Sequence, residues 1–134
     1  MSTPETTEEK TYTGGCHCGA VRFAVEVAED AHTAHACNCS ICFKVGFLHV
    51  IVDRPAFTLL QGDEALTTYS FNTGVAKHTF CKVCGVKAFY TPRSHPTGVS
   101  TNLRCFDGVE DVFDRFAVKG FDGRNWEQAV GSIR

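Results

Sequence analysis

The sequence predicts a mainly β, sandwich-like single domain. Three observations carry this expectation: short segments alternate apolar and polar residues, turn residues recur about every ten positions, and helical periodicity is nearly absent. In chain order, residues 20–27 place Val21, Phe23, Val25 and Val27 on one face, the period-two pattern of a half-buried strand. Residues 40–45 read as a helical turn. Residues 47–52 form a nearly continuous apolar run, expected as a buried strand. Further short strands are expected at 57–60, 66–71, 79–80, 86–90 and 112–118, separated by signals such as Gln61-Gly62-Asp63 and Asn72-Thr73-Gly74. One short C-terminal helix is predicted over 125–130, where Trp126, Ala129 and Val130 share a face.

At 134 residues and 43% hydrophobic, the chain is sized for one domain with a core of its own. Residues 1–11 are polar and Thr/Glu-rich and are expected to form a disordered leader, with the folded domain spanning 12–130. A formal net charge of −2 and the lack of any Lys/Arg run argue against nucleic acid as a partner. No apolar stretch approaches the roughly 18 residues of a membrane span. The leader lacks the basic start and apolar middle of a secretory signal, so a cytoplasmic location is expected. Phe43, Phe47 and Phe57 suit either a core or an interface, which leaves the oligomeric state open.

Eight cysteines require an account. Without an export signal, a reducing compartment favours metal binding over disulfides. A bond from Cys16 to Cys18 or from Cys37 to Cys39 would also strain disulfide geometry. Seven of the eight cysteines fall into three clusters: Cys16-His17-Cys18, Cys37-Asn38-Cys39-Ser40-Ile41-Cys42, and Cys81-Lys82-Val83-Cys84. Zinc takes four tetrahedral thiolate or imidazole ligands in structural sites and keeps one position open in reactive ones. The two pairs, Cys16/Cys18 and Cys81/Cys84, make one closed four-thiolate site. The triplet Cys37, Cys39 and Cys42 leaves a position for water or substrate. Three other readings stay open: the triplet closed by Cys105, an iron–sulfur cluster, and a redox pair at Cys81/Cys84. His17, sandwiched between two thiols, is expected to point away from the metal, His35 and His49 are expected to be structural, and His78 and His95 have no motif of their own around them. Three thiolates on a divalent zinc leave a charge of −1, which a nearby cation would offset. Arg104 is the first candidate and Lys44 the second, with Cys105 lining the pocket.

The motifs Gly14-Gly15-Cys16-His17-Cys18-Gly19-Ala20-Val21-Arg22-Phe23, Cys37-Asn38-Cys39-Ser40-Ile41-Cys42, Phe80-Cys81-Lys82-Val83-Cys84-Gly85-Val86 and Phe89-Tyr90-Thr91-Pro92-Arg93-Ser94 occur in this order. With the tail Phe121-Asp122-Gly123-Arg124-Asn125-Trp126-Glu127, they resemble the family of glutathione-dependent formaldehyde-activating enzyme and centromere protein V, with details closer to the second branch. The resemblance implies an Mss4-like twisted β-sandwich stapled by zinc. It also implies two zinc ions per chain, structural at Cys16, Cys18, Cys81 and Cys84, and labile and catalytic, open to partial occupancy, at Cys37, Cys39 and Cys42. The implied activity is that of a carbon–sulfur lyase acting on a thiol adduct, such as that of glutathione with formaldehyde. The rival expectation is a zinc-stabilised binding module without catalysis.

Overall fold

The computed structural model describes residues 9–71, 74–122 and 130. Its elements are β1 (Glu9–Gly15), β2 (Arg22–Ala28), β3 (Thr33–Cys37), α1 (Ser40–Val45), β4 (Leu48–Asp53), β5 (Phe57–Gln61), β6 (Leu66–Tyr69), β7 (His78–Cys81), β8 (Phe89–Tyr90), β9 (Gly98–Asn102), α2 (Val109–Val112) and β10 (Ala117–Phe121). The strands form a three-stranded sheet ordered β1-β2-β5, a five-stranded sheet ordered β10-β3-β4-β9-β8, and a β6-β7 pair. All pairings are antiparallel except β10 with β3. The architecture is mainly β and agrees with an Mss4-like fold.

The alternation in β2 works as the sequence predicts. Phe23, Val25 and Val27 are buried between the two larger sheets. Phe23 meets Phe57 at 5.7 Å, Phe106 at 5.9 Å and Phe89 at 6.2 Å between ring centroids, an aromatic core with offset and edge contacts. Phe47 belongs to the interior, Phe57 is half-buried in this cluster, and Phe43 is exposed on α1.

Several elements depart from the sequence reading. β1 takes in Glu9, Lys10 and Thr11, which the sequence reading places in the leader; pairing with Ala28, Val27 and Glu26 engages their backbone. Residues 1–8 lie outside the described residues. β3 was not expected, because Thr33-Ala34-His35-Ala36-Cys37 is small and polar; its place between β10 and β4 makes it a strand. β9 was also missed. It is buried along its whole length yet reads Gly-Val-Ser-Thr-Asn. Its polar groups are engaged: Thr101 Oγ1 donates to the Val50 carbonyl at 2.9 Å and Asn102 Nδ2 to the Lys87 carbonyl at 3.1 Å.

The strand expected at 112–118 is corrected to α2, a 3₁₀ turn at Phe113–Arg115, and β10 from Ala117. The backbone N–H groups of Asp111 and Val112 both donate to the Gly108 carbonyl, which winds the segment. Phe116 is buried against Tyr12 at 5.6 Å and Phe106 at 5.9 Å. Within 86–90 only Phe89–Tyr90 is strand, and β6 stops at Tyr69 rather than at residue 71. The turn at Asn72 and Thr73 and the helix at 125–130 lie outside the described residues, except for Gly74 and for Val130, which is buried. No helix among the described residues is long and apolar enough to cross a membrane.

Candidate metal centres and active site

Two backbone knuckles of the same design build the four-thiol group. After β1, Cys16 N donates to the Val21 carbonyl, and the turn passes through Gly19 at φ +83°. After β7, Cys81 N donates to the Val86 carbonyl, and the turn passes through Gly85 at φ +78°. A positive φ at each turn is why glycine stands there. Each knuckle aims backbone N–H groups at sulfur: Val21 N donates to Cys16 Sγ at 3.3 Å and Val83 N to Cys81 Sγ at 3.4 Å.

The Sγ atoms of Cys16, Cys18, Cys81 and Cys84 all lie within 4.8 Å of one another. Cys16 and Cys18 are 3.6 Å apart and Cys18 and Cys81 3.7 Å. A tetrahedron with metal–sulfur bonds of about 2.3 Å has edges of about 3.8 Å, so this donor set fits zinc. The backbone N–H of Cys84 holds the Cys81 thiol below its ordinary value. Against opposing desolvation, hydrogen bonds from the backbone at Cys18 and Val86 bring Cys84 down to about 6.

The triplet is built by one short stretch. Cys37 ends β3, Cys39 is the N-cap of α1, and Cys42 lies in its first turn. Their Sγ atoms also lie within 4.8 Å of one another. Cys39 Sγ accepts from Cys42 N at 3.4 Å, and Cys37 Sγ accepts from Cys39 N at 3.5 Å. Hydrogen bonds from Cys37 and Cys42 hold the Cys39 thiol down to about 2, while the same sharing pushes Cys37 and Cys42 up. Negative charge is therefore drawn onto Cys39.

Cys105 joins neither group among the described residues. Its half-buried thiol is 4.0 Å from the Lys87 carbonyl. Burial, and then the charges of Cys16 and Cys84, push it up to about 11, and the residue packs against the main core. Arg104 is exposed, and its Nε donates to the Gly46 carbonyl at the end of α1 at 3.0 Å. Lys44 is exposed on α1, and His17 is exposed between its two thiols. His35 lies opposite His49 in the β3-β4 ladder, and His95 Nδ1 pairs with Ser94 Oγ at 2.8 Å.

The buried cation on the triplet side of the core is Lys87, whose ammonium rests on the ring of Phe47, and Phe47 N donates to the Cys42 carbonyl at 3.3 Å. The Lys87 side chain is 6% exposed, with Nζ 2.6 Å from His78 Nδ1, 3.9 Å from the Tyr90 ring centre and 5.2 Å from that of Phe47. Desolvation lowers Lys87 to about 8, against the pull of the Cys42, Cys39 and Cys37 charges, so it is an ammonium at neutral pH. Burial, reinforced by the same three charges and a hydrogen bond with Cys42, raises the Tyr90 hydroxyl well above its ordinary value. His49 Nδ1 lies 2.9 Å from Ser100 Oγ and 3.3 Å from Tyr90 Oη. Burial, then the Lys87 charge, holds His49 down to about 3 and His78 to about 4, so both imidazoles are neutral. Sequence reasoning missed this wall. Its one visible signal was a lysine inside the apolar run Val86-Lys87-Ala88-Phe89-Tyr90.

The sequence profile of the family described as glutathione-dependent formaldehyde-activating enzyme matches residues 11–118, which takes in both thiol groups and the wall. The chain belongs to this family. A crystal structure of a Rhodobacter sphaeroides protein is similar to this formaldehyde-activating family member, with a TM-score of 0.71 and 33% sequence identity, covering 80% of this chain and 98% of that one. In this member of the glutathione-dependent formaldehyde-activating enzyme family, the two cysteine groups could hold metal ions, consistent with zinc.

Proposed function

We propose that the chain is a zinc-dependent carbon–sulfur lyase-type enzyme of the S-hydroxymethylglutathione synthase kind. Its substrate is a thiol of the glutathione type joined to formaldehyde or another small carbonyl compound. The observation that carries this reading is the contrast between the two thiol groups. Four sulfurs converge in one, whereas the other offers three and faces a buried wall bearing an ammonium and two neutral imidazoles. Cys16, Cys18, Cys81 and Cys84 would hold a structural zinc, and Cys37, Cys39 and Cys42 a second one. Zinc in the triplet supplies Lewis acidity, which lowers the pKa of a thiol and polarises a carbonyl.

The chain's own residues do the rest. Backbone N–H groups of Cys39 and Cys42 fix the orientation of the Cys37 and Cys39 sulfurs. Phe47 and Tyr90 wall the site with buried rings, which excludes water from a reactive adduct. In the forward direction the thiol sulfur bonds to the carbonyl carbon, the C=O π pair moves to oxygen, and the thiol proton ends on that oxygen.

Two measurements test the proposal. Elemental analysis is expected to give two zinc ions per chain, falling to one under mild chelation with the fold retained. Exchange of ¹³C label between formaldehyde and its glutathione adduct, followed by NMR, is expected to run above the uncatalysed rate. Metal that resists chelation until unfolding, with no accelerated exchange, would refute it.

A further inference from the structure

Two polar groups of the wall have hydrogen-bonding capacity that no atom among the described residues takes up. His49 is 4% exposed, and its Nε2 is buried with no partner among the described residues. An unpartnered polar atom at that depth is a standing destabilisation unless a ligand meets it. The Lys87 ammonium has three N–H donors, and the structure gives one of them an acceptor, His78 Nδ1. Among the described residues no carboxylate pairs with it; the one ion pair found there is Arg22 with Asp107. Both groups are set against the same two rings. The His49 ring centre is 4.5 Å from that of Phe47 and 5.6 Å from that of Tyr90, the two rings on which Lys87 Nζ also rests.

Ser100 Oγ and Tyr90 Oη both lie within hydrogen-bond distance of His49 Nδ1, at 2.9 and 3.3 Å. The Nδ1–H tautomer, in which both oxygens accept from Nδ1, is part of the proposal below and leaves a lone pair on Nε2. In that tautomer the wall presents one acceptor and two ammonium donors, which together match a hydroxyl oxygen or the alkoxide that precedes it.

We propose that Lys87 Nζ and His49 Nε2 form an oxygen subsite, holding the carbonyl-derived oxygen of the substrate one carbon away from the thiol sulfur at the triplet. The assignment rests on the function proposed above. As the sulfur lone pair closes the S–C bond, the π pair passes to the oxygen. Lys87 N–H groups stabilise the charge that develops there, and the thiol proton completes the hydroxyl, whose O–H then donates to His49 Nε2. In the reverse direction the same contacts hold the hydroxymethyl group as the C–S bond breaks. Donors placed in advance where charge develops are the strongest single device available to such a site.

The test uses the zinc-loaded full chain, glutathione and ¹³C-formaldehyde. Lys87→Met keeps an unbranched side chain that reaches as far as Cε, without the N–H groups. His49→Asn keeps an amide at the Nδ1 position for Ser100 and deletes Nε2. Metal content is expected to match the wild type, glutathione affinity by calorimetry to stay within about threefold, and exchange to slow about 100-fold for Lys87→Met and about 10-fold for His49→Asn. His49→Asn carries the test if Lys87→Met does not fold. Wild-type exchange rates in folded variants overturn the subsite. So does a fall in glutathione affinity that parallels the fall in rate, which would make Lys87 a counter-charge for the thiol. A wild-type protein that binds glutathione without accelerating exchange overturns the proposed function, and the subsite with it.

Discussion

Replacing Cys84 with serine removes one donor from the four-thiol group and leaves the chain otherwise intact. The group joins sulfurs 63 residues apart at Cys18 and Cys81, so a metal there closes a long loop that is open in the unfolded chain. Treated as a cross-link of that length, it removes about 14 cal/mol/K of chain entropy from the unfolded state, or about 4 kcal/mol at 25 °C. Cys105→Ser is the matched control, because Cys105 is also half-buried but belongs to neither thiol group. The control is expected to cost about 1 kcal/mol, as ordinary substitutions do. Urea unfolding of both variants under reducing conditions, with metal counted by native mass spectrometry, separates ligation from packing. Cys84→Ser should lose one metal and about 3 kcal/mol more than the control. Equal stabilities, or a Cys84→Ser protein that keeps all its metal, would refute the cross-link argument.

Three further outcomes follow from the geometry. Cys39→Ser should lose one metal yet shift the thermal midpoint by only a few degrees, because the triplet draws on one local stretch; native mass spectrometry and a melting curve check both. His49 is held at about 3 in the fold against 6.5 in the open chain, so as pH falls the unfolded state takes up this proton first. Stability is complete above pH 6.5 and lost below it; by pH 4.5 the wild type should have lost about 3 kcal/mol more than His49→Asn, read from urea unfolding at both pH values. Gly62→Ala should destabilise by more than about 2 kcal/mol, because Gly62 has φ +99° and an added Cβ would sit 2.3 Å from the Ala20 carbonyl oxygen beside the first knuckle; urea unfolding measures this directly.

What the sequence disclosed tracks how local each feature is. The thiol clusters were legible because each knuckle is written in a few adjacent residues, Cys-x-Cys-Gly or Cys-x-x-Cys-Gly, and zinc chemistry restricts how they combine. β2 was legible because one face is buried and the other is not. β9 was opaque because it is buried on both faces, with Ser100, Thr101 and Asn102 bonded inside the sheets, and its residues carry no alternation. The segment 112–118 misled because Phe113 and Phe116, three apart, bury aromatic surface through a turn rather than a pleat. Sequence proximity points to Lys44, beside the triplet, or to Arg104, beside Cys105, as the cation. Lys87 reaches the triplet only through tertiary structure: Asn102 in β9 pins its carbonyl, and the rings of Phe47 and Tyr90 cradle its ammonium.

On the proposed function, the same locality explains how one fold would hold a staple and a reactive site built from one kind of ligand. The four-thiol group joins residues 16–18 to residues 81–84, so a metal held there would tie distant parts of the fold together. The triplet occupies the junction of β3 and α1, where the backbone is fixed by the helix cap at Cys39 and by the left-handed Gly46 at its other end. The wall opposite belongs to β4, β8 and β9 and to Lys87, all anchored in the buried core. The backbone of each half is held by hydrogen bonds of its own, the helix cap on one side and the β4-β9-β8 ladder on the other. Geometry that stays fixed while a position remains open is what an exchangeable ligand requires. On the proposed function, the bond-making chemistry would therefore fall to the triplet, the site whose metal the fold would survive losing.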